Sequence, residues 1–353
     1  MLTTPRLERA SDVVRALGAV QAQDYAGAKW ALAQRTSGAT DNEIERELTE
    51  GRIIRTHVLR PTWHFVAPAD LRWMLALTAP RVNQALAYYN RKLELTPAVF
   101  KKSHSAIGRA LRGGKHLTRL ELKEVLERAG LRAVTGQRLG HLMAQAELDA
   151  VICSGARRGK QFTYALVEER VPPAATLTRD EALHELSRRY FTTRGPATVH
   201  DFAWWSGLTI ADVRRAIAIA GDALRRTDSE GRTFWSAADA PAPPKARRSV
   251  HLLPNYDEYF IGYKDRSAIG GRIRSTKPVT GGNALIAHVI AVNGELVGGW
   301  KRIPDKGQVV VEADLVVRLT APEQAGLGAA ARRFGEFLGS PAELRIRRPR
   351  RLS

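Results

Sequence analysis

Cysteine is almost missing from this chain of 353 residues, Cys153 being the only one. That excludes an intramolecular disulfide and a cysteine-built zinc site, and leaves Cys153 the role of a small buried hydrophobe. Long apolar runs are also missing. No stretch approaches the roughly 18 uninterrupted apolar residues of a membrane span. The start, Met1-Leu2-Thr3-Thr4-Pro5, has no basic segment followed by an apolar one, so a cytoplasmic protein is expected. There is no Gly-Lys-Ser/Thr phosphate loop, no Gly-x-Gly-x-x-Gly after a strand, no His-Glu-x-x-His and no Gly-x-Ser-x-Gly, which leaves ATP-driven, dinucleotide and zinc-protease chemistry without support. The histidines are scattered. Their nearest candidate pair, His57 and His64, has no carboxylate at ligand spacing, so neither a metal nor a cofactor is expected.

Acid is scarce relative to base: 36 Asp and Glu against 55 Lys and Arg give a net charge of +19. A polyanion, nucleic acid first, is the partner such an excess favours, because every neutralised phosphate releases counterions. No basic helix carries a bulky apolar face, so a membrane surface fits less well. The basic groups recur in separate places: Arg157-Arg158-Gly159-Lys160, Lys245-Ala246-Arg247-Arg248, Lys264 to Arg274, and the tail Arg345 to Arg351.

The length allows about two to four domains, and the order of elements divides the chain. Thr118 with Glu121 caps one helix, Thr135 to Leu148 reads as another, and strands at Ala150–Cys153 and Phe162–Val167 flank the basic turn. Further on, helices over Arg179–Phe191, Val199–Ser206 and Thr209–Ala220, with Gly207 as the turn, precede strands near Ala223–Arg226 and Arg232–Trp235. Helices followed by a hairpin describe a winged helix, and His200 to Thr209 reads as helix-turn-helix. The first stretch has the same order more loosely: helices over Leu7–Val20, Ala26–Arg35 and Asp41–Glu50, a hairpin of Ile53–Leu59 and Trp63–Val66, and further helices from Pro68 to Leu111. After an Ala- and Pro-rich linker from Ala237 to Arg248, strands predominate, with one helix over Pro322–Leu338 and a hairpin turn at Asn293-Gly294. The fold class is thus α+β: three tandem winged-helix (helix-turn-helix) domains over 1–112, 113–175 and 176–240, then a β-rich, barrel-like domain over 241–353.

Gln21-Ala22-Gln23 stands out among the polar residues. With Val13, Val14, Leu17 and Val20 on one helical stripe, the periodicity predicts a helix ending near Gln21. Side chains at i and i+2 on a helix point about 200° apart, so both amides share a pocket only if the backbone leaves helical geometry. Bonding to loop backbone or water is the plainer role for them. In the polar hairpin Arg55 to Phe65, alternation puts Arg55, His57 and Leu59 on one face and joins Thr62 with His64. At least one of Trp204 and Trp205 must be core. Asp257-Glu258-Tyr259 and Asp265-Arg266 fit ion pairing or loop fixing better than acid catalysis.

Four stretches together resemble the winged-helix DNA glycosylases of the AlkZ and YcaQ type: Gly18 to Gln23, Leu59 to His64, Gly159 to Leu166, and Leu252 to Arg266. The family's catalytic motif is Gln-x-Gln in the AlkZ branch and Gln-x-Asp in the YcaQ branch, so Gln21 and Gln23 align the chain with AlkZ. The resemblance implies hydrolysis of the N-glycosidic bond of N7- or N3-alkylated purines in double-stranded DNA, interstrand crosslinks included; a monomer is expected because one chain already offers three binding modules. It implies catalytic Gln21 and Gln23, with Arg60, Thr62, His64, Lys160, Lys264 and Arg266 lining the pocket or holding DNA. Arg60-Pro61-Thr62-Trp63-His64 replaces the family's frequent Arg-Gly-Thr-Leu-His. Proline cannot take a positive φ, and Trp63 is expected beside the pocket. Two other classes suit the charge. A DNA-binding transcriptional regulator without activity would be indifferent to the glutamines, and a structured-RNA binder would depend on 2′-hydroxyls.

Overall fold

The computed structural model describes residues 2, 6–240, 248–273, 288–305 and 307–347. Most of the linker, the start of the strand expected from Leu285, and the tail beyond Arg347 lie outside the described residues, as do Arg274 and all but Arg248 of the basic cluster at 245–248.

The N-terminal stretch comprises α1 (Ala10–Leu17), β1 (Ala19–Gln21), α2 (Tyr25–Ala33), α3 (Asp41–Thr49), β2 (Ile54–Val58) and β3 (Arg60–Val66), followed by α4 (Pro68–Lys92) and α5 (Pro97–Leu111). Then come β4 (Leu117–Thr118), α6 (Arg119–Arg128), α7 (Gly136–Leu148), β5 (Ile152–Ser154), β6 (Thr163–Leu166) and the short α8 (Val167–Arg170). The next group is α9 (Arg179–Arg194), α10 (Val199–Ser206), α11 (Ile210–Ala220), β7 (Leu224–Ser229) and β8 (Arg232–Ala237). The rest holds β9 (Val250–Leu253), α12 (Glu258–Ile261), β10 (Val289–Val292), β11 (Glu295–Asp305), β12 (Gln308–Leu315), α13 (Ala321–Leu338) and β13 (Ala342–Arg347).

Local chemistry sets many of these boundaries. Capping boxes open α3, α6, α9, α10 and α13 through Thr40, Thr118, Thr178, Thr198 and Thr320, each satisfying backbone N–H groups that the first turn leaves free. Gly207, at φ 71°, makes the turn between α10 and α11, and a Cβ there would run into the carbonyl of Leu59. The backbone of the third helical group therefore rests directly on the β2–β3 turn.

The helix expected up to Val20 stops earlier. Gly18 takes φ 80° and the chain turns into β1. That strand pairs antiparallel with β3, giving a three-stranded sheet in the order β1-β3-β2. β4, β6 and β5 form a second small sheet, and β7 with β8 a third. The last five strands lie in the order β13-β12-β11-β10-β9, with Asn293 and Gly294 turning β10 into β11 at φ 52° and 88°. Among the described residues this sheet is open, with β9 and β13 as its edges, where a barrel-like closure was expected. α13 packs across it through Phe334 and Phe337, which meet Trp30 of α2 in one hydrophobic cluster. A second cluster gathers Ile54, Leu59, Leu71, Tyr190, Phe202 and Trp205. Trp205 is the core member of its pair, and Trp204 stays partly exposed.

Candidate active site

The glutamines lie on a strand that runs into a short extended segment, and this removes the geometric difficulty. In extended backbone, residues i and i+2 share a face. The register sets Gln21 opposite His64 and His64 opposite Thr56, a row of three across the sheet. Thr62 and Gln23 continue that face. Arg60 Nη2 donates to Gln21 Oε1 at 2.8 Å, and Thr62 Oγ1 donates to Gln23 Oε1 at 2.8 Å. Both amide oxygens are thereby held, while neither amide nitrogen has a partner among the described residues. Gln21 is buried and Gln23 exposed, so the pair spans the boundary between protein and solvent.

The backbone under the pair is fixed from three directions. Ala22 N–H donates to Trp63 O at 2.7 Å, Arg55 Nε donates to Ala22 O at 3.1 Å, and Gln21 N–H donates to Glu258 Oε1 at 2.9 Å. Glu258 Oε2 accepts from Arg194 Nη2 at 2.6 Å and from Trp205 Nε1 at 2.8 Å. Arg194 in turn donates to Leu17 O and Ala19 O, clasping the bend at Gly18. Next to it Arg35 forms a bidentate pair with Asp257 at 2.7 and 2.9 Å. Asp257 and Glu258 thus fix the loop, as their sequence context indicates. What the sequence does not signal is that the element Glu258 fixes is the glutamine strand.

Burial pulls the Arg60 guanidinium below its ordinary pKa, with Glu258 opposing and Arg194 and Arg266 reinforcing that shift. His64 is fully buried; burial first, then the charge on Arg60, lowers its pKa well below the ordinary imidazole value. It is therefore neutral at pH 7, with Nδ1–H donating to Thr62 O at 3.1 Å and orienting the start of β3, whose Thr62 hydroxyl holds Gln23. His251 on β9 is shifted in the same direction, to about 4, by burial and then by Arg333 and Arg35. For such groups the unfolded chain takes up a proton near pH 6.5 that the folded chain refuses. Their contribution is complete above pH 6.5 and is lost as pH falls through the folded pKa. Urea unfolding should show stability declining from pH 6.5 towards 4, by up to about 1.4 kcal/mol per pH unit for each histidine. His251→Leu should remove that residue's share of the slope.

The other sequence-predicted residues do not all converge on the pair. Trp63 adjoins His64 in β3 and so faces the opposite side of the sheet, where Arg55 lies 4.3 Å over its ring and His57 4.6 Å away. The expectation that Trp63 borders the pocket is corrected by this alternation. Nor does Pro61 conflict with the turn, because the positive φ, 62°, falls on Leu59. His57 bonds through its backbone N–H and its Nδ1 to Glu147 of α7, tying the second helical group to the first. Lys160 is exposed and has no partner among the described residues, whereas Arg157 and Arg158 pair with Glu45 and Glu121. Lys264 is exposed in a separate groove of about 650 Å³ with His200, Arg214 and Arg232. Arg266 is committed internally: its Nε donates to Phe260 O at 2.8 Å, and its guanidinium lies over Phe260 and Trp204.

Comparison with known proteins agrees over nearly the whole chain. The family model described as DNA glycosylase AlkZ-like matches residues 14–337. An interstrand DNA cross-link repair glycosylase of Streptomyces sahachiroi is 26% identical over 322 residues, covering 87% of this chain and 84% of that protein. The solved structure of Streptomyces sahachiroi DNA glycosylase AlkZ superposes with a TM-score of 0.79 at 24% identity, over 98% of this chain and 96% of that one.

Proposed function

The chain belongs to the AlkZ-like family of DNA glycosylases, and from that premise we propose that it hydrolyses the N-glycosidic bond of N7- or N3-alkylated purines in double-stranded DNA, bulky adducts and interstrand crosslinks among them. The observation that carries the reading is the pair of amides on one face, Gln21 tethered by Arg60 and Gln23 by Thr62. Alkylation at N7 or N3 puts positive charge on the base, which leaves without a general acid. The protein then has to place a water and stabilise a cationic sugar. Neutral dipoles suit that task, since a fixed amide stabilises developing charge with little reorganisation. In this reading Gln23, at the solvent edge, orients the water, and Gln21 makes the second bond to water or sugar.

Around the pair, Arg60 and Thr62 aim the amides and His64 holds the loop. Lys160 and Lys264 reach DNA phosphates, and Arg266 contributes by supporting the surface around Trp204. We read the three helix-plus-hairpin groups as winged helices over 1–112, 113–175 and 176–240, joined to the β-rich unit 241–353 and acting as a monomer along one duplex. A wide groove of this kind can keep a bulky adduct in place without enclosing it, whereas a snug flipping pocket limits size. The test is strand cleavage after alkali of a duplex with one N7-methylguanine. Excision supports the assignment. Binding without excision of this lesion, of bulkier adducts and of crosslinks would overturn it in favour of a regulator.

A further inference from the structure

A second site-like feature begins one residue beyond Gln23. Asp24 caps α2, its carboxylate accepting from Gly27 N–H at 3.1 Å, and also lines a cavity of about 170 Å³ between α2, the five-stranded sheet and α13. The walls are aromatic: Phe334 lies 5.1 Å from Trp30 and 5.0 Å from Trp300, and Phe337 lies 5.1 Å from Trp30. Both indole N–H groups are spent on the carbonyls of Leu252 and Leu253, so the walls offer rings and no donors. Hydrogen-bonding capacity comes from Asp24 and His288, and from Asp41, whose carboxylate is already paired with Lys29 at 2.9 Å. His288 Nδ1 accepts from Asn255 N–H at 3.1 Å, which leaves its proton on Nε2. Arg302 adds a cation at the same cavity.

Size and polarity together define a ligand class. An apolar cavity of about 150 Å³ holds one benzene, so this one seats the leading ring of a planar ring system edge-on and has no room for a nucleoside still attached to a duplex. A carboxylate accepts a pair of adjacent N–H groups, while an imidazole N–H or a guanidinium donates to a carbonyl. The edge of a guanine presents both. We infer that the cavity of Asp24, His288, Trp30, Trp300, Phe334 and Phe337 receives the edge of the free purine released by the reaction when its alkyl group is as small as methyl. N1–H and the exocyclic amine of the base would face Asp24, and O6 would face His288 or Arg302. The inference rests on the purine assignment proposed above. It gives the leaving base a place to dwell that is walled by the residue following Gln23, and it makes that base a product inhibitor.

Isothermal titration of the full chain with free 7-methylguanine tests it. The expected result is saturable binding at one site, weakened at least about tenfold in Asp24→Asn, where asparagine still caps the helix. 7-Methylguanosine, enlarged by its ribose, should fail to compete. In Trp300→Phe, which keeps the aromatic wall and sacrifices only the indole, affinity should fall without loss of folding by circular dichroism. Absence of saturable heat at millimolar base, or binding indifferent to Asp24→Asn, would overturn the inference. Excision assays on the same preparations keep two failures apart. Excision without base binding rejects this cavity alone, and base binding without excision of any adduct rejects the reaction and leaves the cavity standing.

Discussion

At equal DNA occupancy, the double variant Gln21→Ala/Gln23→Ala should excise N7-methylguanine at least about a hundredfold more slowly than wild type, a loss of roughly 2.7 kcal/mol of barrier stabilisation. The magnitude follows from what the two amides would do. With no general acid needed at the leaving group, most of what the protein can add is orientation of the water and stabilisation of the sugar cation, and in the proposed mechanism both tasks fall on this pair. The single variants should separate by location. Gln23→Ala removes an exposed side chain and its bond to Thr62, so activity should drop with little change in stability. Gln21→Ala also strands the half-buried Arg60 Nη2, which should cost about 1 kcal/mol of stability besides activity. A DNA-binding regulator predicts instead that binding persists and that nothing else is lost, so measuring binding and excision on the same samples decides between them.

Glu258→Ala is expected to have the largest effect on stability. Removing one partner of a buried ion pair typically costs about 3–5 kcal/mol, because the remaining charge stays buried without compensation. Here Arg194 would keep its place beneath the Gly18 bend with its carboxylate gone, and the N–H groups of Gln21 and Trp205 would lose their acceptor. Glu258→Gln keeps an acceptor oxygen but not the charge, and should fall between wild type and alanine in urea midpoint. If Glu258→Ala unfolded at the wild-type midpoint, the hub would be structurally idle and the strand would have to be held by its sheet alone. An excision deficit in Glu258→Gln larger than its stability loss explains would show that the anchor also sets catalytic geometry.

Local patterns made most of the elements legible. Threonine followed three residues later by glutamate marks helix starts, and Asn293-Gly294 marks a hairpin, because these signals operate within a few residues. β1 was not legible. It is three residues long and takes its conformation from β3, so helical periodicity through Val20 was the only local signal, and Gly18 the only warning against it. The amide pair could be singled out as unusual, but its shared face depends on that unseen strand. Trp63 is a different case. His64 is its neighbour in a strand, and alternation alone was enough to place the two on opposite faces. Glu258 could be recognised as a fixing residue, yet its target lies 237 positions away and no local pattern encodes such a distance.

That separation has a consequence for the order in which the molecule is made. Gln21 and Gln23 are synthesised before Arg194, and Arg194 before Glu258, so the clasp on their strand is completed only 237 residues after Gln21. Until that late residue arrives, the strand has its sheet, its local turns and the bonds from Arg194 to Leu17 O and Ala19 O, but Gln21 N–H lacks its acceptor. A partly synthesised chain, or one cut within the linker that precedes β9, would carry both glutamines and the three helical groups while lacking the Glu258 lock on the glutamine strand. Such fragments should hold DNA better than they excise a base from it.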